Sequence, residues 1–206
     1  MKLVKEVCVE SFHEAVLAEL AGATRIELCE NLSCGGTTPS YGTIKKTIEK
    51  LQVPVMVMIR PRGGDFCYSH DEFEIMREDI RMCNLLGAAG VVFGLLERDN
   101  KIDIERTSEL VELANQMPVT FHKAIDDSRD LLQSVTQLKM IGVSRILTSG
   151  GQPTAIEGAD KLLRMIEIAG TEMNIIVAGK VTWENFDEIK RLIPSTEYHG
   201  RRLVKF

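Results

Sequence analysis

The sequence lacks the features that mark nucleic-acid-binding, membrane-spanning or secreted proteins. Its 206 residues carry a formal net charge of −5, so there is no basic surface for nucleic acid. No run of about 18 apolar residues is present that could span a membrane. The amino terminus does not have the pattern of a signal peptide, because charged residues interrupt its only apolar stretch. We therefore expect a cytoplasmic protein that binds neither nucleic acid nor membrane.

Cysteine is scarce and is not arranged in pairs. The sequence has five cysteines, an odd number, and no C-x-x-C spacing, which argues against a disulfide framework and against a zinc ribbon. They are Cys8, Cys29, Cys34, Cys67 and Cys83. Cys83 lies in a predicted helix, and its side chain is expected to serve in packing. The sequence assigns no role to Cys34 or Cys67.

Short apolar, β-branched runs alternate with segments of helical spacing along the whole chain. The predicted strands lie near residues 3–9, 25–29, 53–60, 90–96, 118–124, 145–149, 174–179 and 196–199. Eight strands with seven intervening helices predict a parallel TIM (β/α)8-like barrel, because parallel strands need crossover helices. No linker divides the chain, so residues 1–206 are predicted to form a single domain.

The carboxyl end departs from that pattern. Only GRRLVKF follows the eighth predicted strand, which is too short for an eighth helix. The barrel is therefore predicted to be short there, and either to be open or to be covered by another subunit. The predicted helix starts are Ser11, Ser40, Ser69, Asp103, Ser128, Thr154 and Thr182.

Polar residues two positions apart recur where the predicted strands end. The pairs are Glu6 and Cys8, Glu27 and Cys29, Arg60 and Arg62, Thr120 and His122, and Glu197 and His199. Alternate strand residues face the same side, so each pair points one way while the residues between them face the helices. Functional groups of such barrels gather at these strand ends. The pattern predicts a polar cleft inside the barrel mouth.

Two kinds of site are open for this cleft. Cys8 and Cys29 lie on consecutive strands, and two thiolates suit a soft metal ion such as Cu(I); the alternative is a pair of core thiols. Arg60 and Arg62 could instead hold an anion.

The glycine loops after strands 6 and 7 extend the anion hypothesis. Gly150, Gly151 and Lys180 offer backbone N–H groups and a cation for a phosphate or carboxylate. His122 would then serve as an acid or base, assisted by Glu6 or Glu27. The alternative interpretation is that the charges form structural ion pairs, such as Arg25 with Glu27 or Glu6 with Arg60.

Several segments together resemble the CutC family. They are EVCVES, GATRIELCENLSCGGTTPSYG, VMIRPRGGDFCYS, VTFHKAID, RILTSGG and EYHG, and they occur in the expected order over nearly the whole chain. The resemblance implies a TIM barrel, a role in copper homeostasis, Cu(I) ligation by Cys8 and Cys29, and a homo-oligomer, for which we expect a dimer. The chain departs from the family pattern at Cys34, where an acidic residue is usual, and at Lys180, within a glycine run.

The sequence therefore predicts one of two functions. The first is a cytoplasmic copper homeostasis protein whose partner is a copper ion. The alternative is a TIM-barrel enzyme whose partner is a small anionic metabolite.

Overall fold

Eight parallel strands pair in chain order, and the first also pairs with the last, so the sheet closes into a barrel. This architecture is seen in a computed structural model that describes residues 3–206. The strands are β1 (Val4–Val9), β2 (Arg25–Leu28), β3 (Val55–Met58), β4 (Gly90–Phe93), β5 (Val119–Phe121), β6 (Arg145–Thr148), β7 (Asn174–Val177) and β8 (Glu197–His199). The predicted barrel is confirmed. Residues 1 and 2 of the predicted domain lie outside the described residues.

Seven helices connect the strands and form the outer layer. They are α1 (Phe12–Leu20), α2 (Tyr41–Lys50), α3 (His70–Leu86), α4 (Ile104–Ala114), α5 (Leu131–Met140), α6 (Ala159–Ala169) and α7 (Phe186–Leu192). Short 3-10 helices follow β2 at Leu32–Cys34 and β5 at Lys123–Asp127. Because no linker interrupts this alternation, one barrel accounts for all the described residues.

The first four predicted helix starts are confirmed by capping hydrogen bonds. The hydroxyls of Ser11, Ser40 and Ser69 and the carboxylate of Asp103 each accept a backbone N–H of the first helical turn. At Ser69 a second bond completes a capping box, because Glu72 accepts the N–H of Ser69.

The last three predicted starts are wrong. The cap of α5 is Asp130, because the 3-10 helix after β5 shifts the start two residues beyond Ser128. The helices α6 and α7 begin after Gly158 and Asn185. Thr154 instead accepts the N–H of Glu157 within its own loop, and Thr182, whose N–H donates to Asn185, forms an isolated parallel bridge with Arg202.

The strands bury apolar residues outward and polar residues inward, as the two-residue pattern predicts. Val7, Ile26 and Phe121 are fully buried in the layer between sheet and helices. Glu6 and Glu27 are buried as well, but inside the barrel, where Arg25 of the neighbouring strand donates to Glu6 and the thiol of Cys29 donates to Glu27. The fold thus concentrates charge in its interior, where unpaired charge is costly.

The carboxyl end is closed by strand pairing although no helix follows β8 within residues 3–206. The backbone N–H of Trp183 donates to the carbonyl of Arg202 at 2.8 Å, and Leu203 is fully buried. The missing eighth helix is therefore confirmed, whereas the sheet itself is not open.

Residues 3–206 contain no helix that combines the length and the apolar character needed to cross a membrane.

Candidate metal centre at the barrel mouth

A buried ion network fills the interior below the barrel mouth. The guanidinium of Arg25 donates to both Glu6 and Glu197. Asn174 donates to the second oxygen of Glu197 at 2.9 Å, and Arg145 lies 3.6 Å from the same carboxylate. The network does not contain the ion pairs considered from the sequence, Arg25 with Glu27 and Glu6 with Arg60. Its members hold one another in place on five different strands.

Glu6 remains ionised in this network. Burial alone would raise the pKa of Glu6, but Arg25 and His199 outweigh burial and lower the pKa from 4.5 to about 2. The carboxylate therefore links the buried ion network to the histidine above it, since its Oε1 lies 2.8 Å from Nδ1 of His199.

The strand register places a carboxylate, and not the second cysteine, beside Cys8. In the pairing of β1 with β2, Cys8 lies opposite Glu27, while Cys29 is two residues further along. Cys8, Glu27 and His199 each offer one ligand atom, and these atoms all lie within 4.8 Å of one another. A thiol, an imidazole and a carboxylate so arranged form a candidate metal centre.

His199 is held in the orientation that suits a metal ligand. Its Nδ1 is directed at Glu6, and its Nε2 lies 3.7 Å from Oε2 of Glu27. Although burial lowers the pKa of His199, the charge of Glu27 and hydrogen bonds to Cys8 and Glu6 raise it well above 6.5. Carboxylates commonly fix metal-binding histidines in this way, through the nitrogen that does not bind the metal.

Cys29 lies next to this group and shares Glu27 with it. Its Sγ donates a hydrogen bond to Oε2 of Glu27 at 3.6 Å, and its side chain is buried. Burial and the neighbouring Glu27 raise the pKa of the Cys29 thiol well above 9.0. Burial also raises the pKa of Glu27, whose Oε1 has no hydrogen-bond partner among the described residues.

The candidate metal centre opens into a cavity of about 200 Å3 at the carboxyl ends of the strands. Met58, Phe66 and Leu147 form apolar walls, and His122 lines the same space. Four residues predicted as site residues therefore line one cavity: Cys8, Cys29, Glu27 and His122. His199, to which the sequence assigned no role, lines the same cavity.

Arg60 and Arg62 face different parts of the molecule. Arg60 is buried, and its guanidinium donates to three backbone carbonyls of the surrounding loops, those of Cys34, Gly36 and Gly64, at 2.7–3.0 Å. Those contacts stabilise the loops and occupy both terminal nitrogens.

Arg62 lies on the outer side of its loop. It bonds Asp65 at 3.0 Å and Glu72 at 2.5 Å, in a separate surface groove of about 770 Å3. The two arginines predicted to act together are therefore not brought to one site.

The glycine loop after β6 already binds an anion that belongs to the chain itself. The carboxylate of Asp126 accepts backbone N–H groups from Ser149 at 3.1 Å and from Gly151 at 2.8 Å. The N–H of Gly150 donates to a threonine hydroxyl of β6 at 2.9 Å. Lys180 is exposed, with a left-handed backbone, outside the cavity.

Sequence reasoning missed two of these roles. His199 was visible as one of a two-residue polar pair with Glu197, but its proximity to Cys8 depends on the closure of β8 onto β1. Asp126 gave no signal beyond its position after β5, because its role depends on the path of a different loop.

Comparison with known proteins identifies the family of this chain. The sequence model of the CutC family matches residues 3–203. A human relative described as copper homeostasis protein cutC homolog is 45% identical over 194 residues, which cover 94% of this chain and 71% of the relative. A CutC family protein of Treponema denticola is 42% identical over 206 residues, 100% of this chain and 84% of that protein.

A solved structure extends the likeness to the fold. A crystal structure of CutC from Streptococcus agalactiae, 36% identical, superposes with a TM-score of 0.93 over 98% of this chain and 100% of that chain. Since the family model and these relatives cover nearly the whole sequence, the chain belongs to the CutC family.

Proposed function

We propose that this protein acts in copper homeostasis by binding Cu(I) at the barrel mouth, with Cys8 as the central ligand. The single observation that carries the proposal is the convergence of Cys8, Glu27 and His199, whose ligand atoms lie within 4.8 Å of one another. The family membership supports copper as the metal, because relatives are described as copper homeostasis proteins.

The ligand chemistry favours two thiols and one imidazole. Soft thiolates select Cu(I), imidazole also suits copper, and carboxylates suit harder ions. Glu27 is therefore the weakest ligand of the group, and Cys29, whose Sγ is 3.6 Å from the Glu27 carboxylate, is the nearest soft replacement. We assign Cys8, Cys29 and His199 as ligands, with Glu6 orienting His199 through Nδ1.

Competition titration of purified protein against a colorimetric Cu(I) chelator tests this assignment. Loss of a residue that orients a metal ligand typically weakens metal binding by about 10–100-fold, so Glu6→Gln should weaken Cu(I) binding by a factor in that range. Cys8→Ser and Cys29→Ser, which remove ligands, should each weaken Cu(I) binding by a larger factor. Cys34→Ser is the matched control, because its exposed thiol donates only to the carbonyl of Asn31. Stoichiometric Cu(I) binding that persists in the Cys8→Ser, Cys29→Ser double variant would refute the proposal.

We also propose a cytoplasmic location and a homodimer. The five unpaired cysteines support a reducing compartment. Exposed aromatic side chains at Trp183 and Phe206, near the β8 region that has no covering helix within residues 3–206, support a subunit contact there. Light scattering on the purified chain measures the mass, and a monomer at micromolar concentration would contradict the dimer.

A further inference from the structure

The two thiols, the imidazole and the carboxylate at the barrel mouth suit zinc as well as Cu(I). They belong to Cys8, Cys29, His199 and Glu27. Zinc is bound by thiolates, imidazoles and carboxylates, usually four in number, and thioethers are absent from its usual ligands. Cu(I) shares the thiolates and the imidazole with zinc but also takes thioethers. A methionine at this site would therefore distinguish the two metals.

Met58 lies beside Cys29 at the end of β3. In the pairing of β2 with β3, Leu28 lies opposite Val57. The next residues along the two strands, Cys29 and Met58, therefore come side by side. Neighbouring strands are about 4.8 Å apart, and successive residues of a strand face opposite sides of the sheet. Val57 packs in the outer layer between sheet and helices, which leaves Met58 on the inner side with Cys29.

The side chain of Met58 reaches the cavity that holds the proposed ligands. It lines the same space of about 200 Å3 as Cys8 and His199, and it is 4% exposed. Among the described residues that line this cavity, Met58 is the only methionine. A methionine side chain has three rotatable bonds, so its sulfur can turn toward an ion while the strand stays in place.

The charge of the site also favours a thioether over the carboxylate of Glu27 as a Cu(I) ligand. Two thiolates and a Cu(I) ion carry one excess negative charge, and a carboxylate ligand would add a second one inside a buried site, which is costly. A doubly charged zinc ion with the same carboxylate keeps a single excess charge. The thioether of Met58 adds no charge at all.

We propose that Met58 is the fourth ligand of the Cu(I) site and the residue that selects Cu(I) over zinc. Its sulfur completes the coordination by Cys8, Cys29 and His199, while Glu27 stays outside the coordination sphere of Cu(I). The inference rests on the proposed function, because it assigns one more ligand to the same ion.

Selenomethionine-labelled protein loaded with Cu(I) tests the contact directly. X-ray absorption at the copper edge should show selenium bound to copper, because only a ligating methionine brings selenium next to the ion. The signal should disappear in Met58→Leu, which removes the selenium at nearly constant side-chain volume. The matched control is Met56→Leu on the same strand. It should keep the signal, because Met56 packs against Gly90 outside the cavity.

Competition titrations of the same variants with Cu(I) and with zinc test the selectivity. Met58→Leu should weaken Cu(I) binding about tenfold, equivalent to about 1.4 kcal/mol, and should change zinc binding by less than about twofold. Met56→Leu should bind both metals like the wild type. An equal loss of affinity for both metals in Met58→Leu would mean that Met58 only packs against the site, and the proposal would be wrong.

The absorption measurement also separates this inference from the proposed function. Absence of selenium next to copper in the wild type, or its persistence in Met58→Leu, would overturn the assignment of Met58. If the Cys8→Ser, Cys29→Ser double variant loses Cu(I) while the wild type shows no selenium contact, the proposed function stands and only this inference fails. A wild-type protein that binds no Cu(I) would overturn both.

Discussion

Replacing Glu6 by glutamine removes one charge from the centre of the buried ion network. Glu6 is fully buried and accepts hydrogen bonds from Arg25 and His199. A glutamine amide keeps one oxygen acceptor, but its NH2 group must face the second donor. The variant therefore leaves Arg25 with Glu197 as its remaining carboxylate partner and removes the charge that faces Nδ1 of His199; breaking such a buried pair costs about 3–5 kcal/mol, and the remaining Glu197 places this variant at the lower end.

The pKa of Glu6 gives a second measure of the same contribution. The fall from 4.5 to about 2 corresponds to about 3 kcal/mol at ~1.4 kcal/mol per pH unit. Because the folded-state pKa is the lower one, this stability is present above pH 4.5 and is lost as the pH falls toward 2. The broken ion pair and the lowered pKa of Glu6 both predict that Glu6→Gln lowers the free energy of unfolding by about 3 kcal/mol at pH 7.

Urea unfolding followed by circular dichroism measures this difference. The matched control is Glu49→Gln, on the helix surface, where the carboxylate is 56% exposed and lies 3.9 Å from Lys45; it should change the free energy by less than about 1 kcal/mol. The reasoning fails if Glu6→Gln stays within 1 kcal/mol of the wild type at pH 7, or if its free energy of unfolding declines below pH 4.5 as steeply as that of the wild type.

Three further predictions concern packing, protonation and thiol reactivity. Gly90→Ala should destabilise the fold by at least about 2 kcal/mol, because the new methyl group meets a backbone carbonyl at 2.6 Å. The control Gly42→Ala, in an open helical position, should stabilise the fold by about 0.5–1 kcal/mol. Thermal unfolding of the two variants measures the difference. At pH 6, NMR should find His199 protonated and His122 neutral, since their pKa values lie on opposite sides of that pH. A neutral His199 ring would contradict the environment described for His199, and a protonated His122 ring would contradict that of His122. Among the five thiols, Cys34 should be alkylated first under native conditions, because it is the exposed one. Mass spectrometry after brief labelling identifies the alkylated cysteine, and faster labelling of any other cysteine would refute this prediction.

The barrel could be predicted from the sequence because its signals are local. Apolar runs, helix caps such as Ser69, and the alternation of Glu6 with Val7 depend only on neighbouring residues. The same alternation correctly predicted that polar side chains enter the interior, where Glu6 and Glu27 are buried.

The arrangement inside the cleft could not be predicted, because it depends on pairing between distant strands. The offset between β1 and β2 puts Glu27 beside Cys8, and the closure of β8 onto β1 brings in His199. The two arginines of the loop after β3 show the same limit: Pro61 ends the regular alternation between them, and Arg62 turns outward to Glu72.

The internal carboxylate in the glycine loop has a consequence for the metabolites this barrel meets. Asp126 holds the N–H groups of Ser149 and Gly151 as a permanently tethered anion. Because it is tethered, this carboxylate competes with free anions for the two N–H groups at an effective concentration of about millimolar or more. Free phosphate esters below that concentration would be kept out of the loop, so the protein can work among abundant phosphorylated compounds without being occupied by them there.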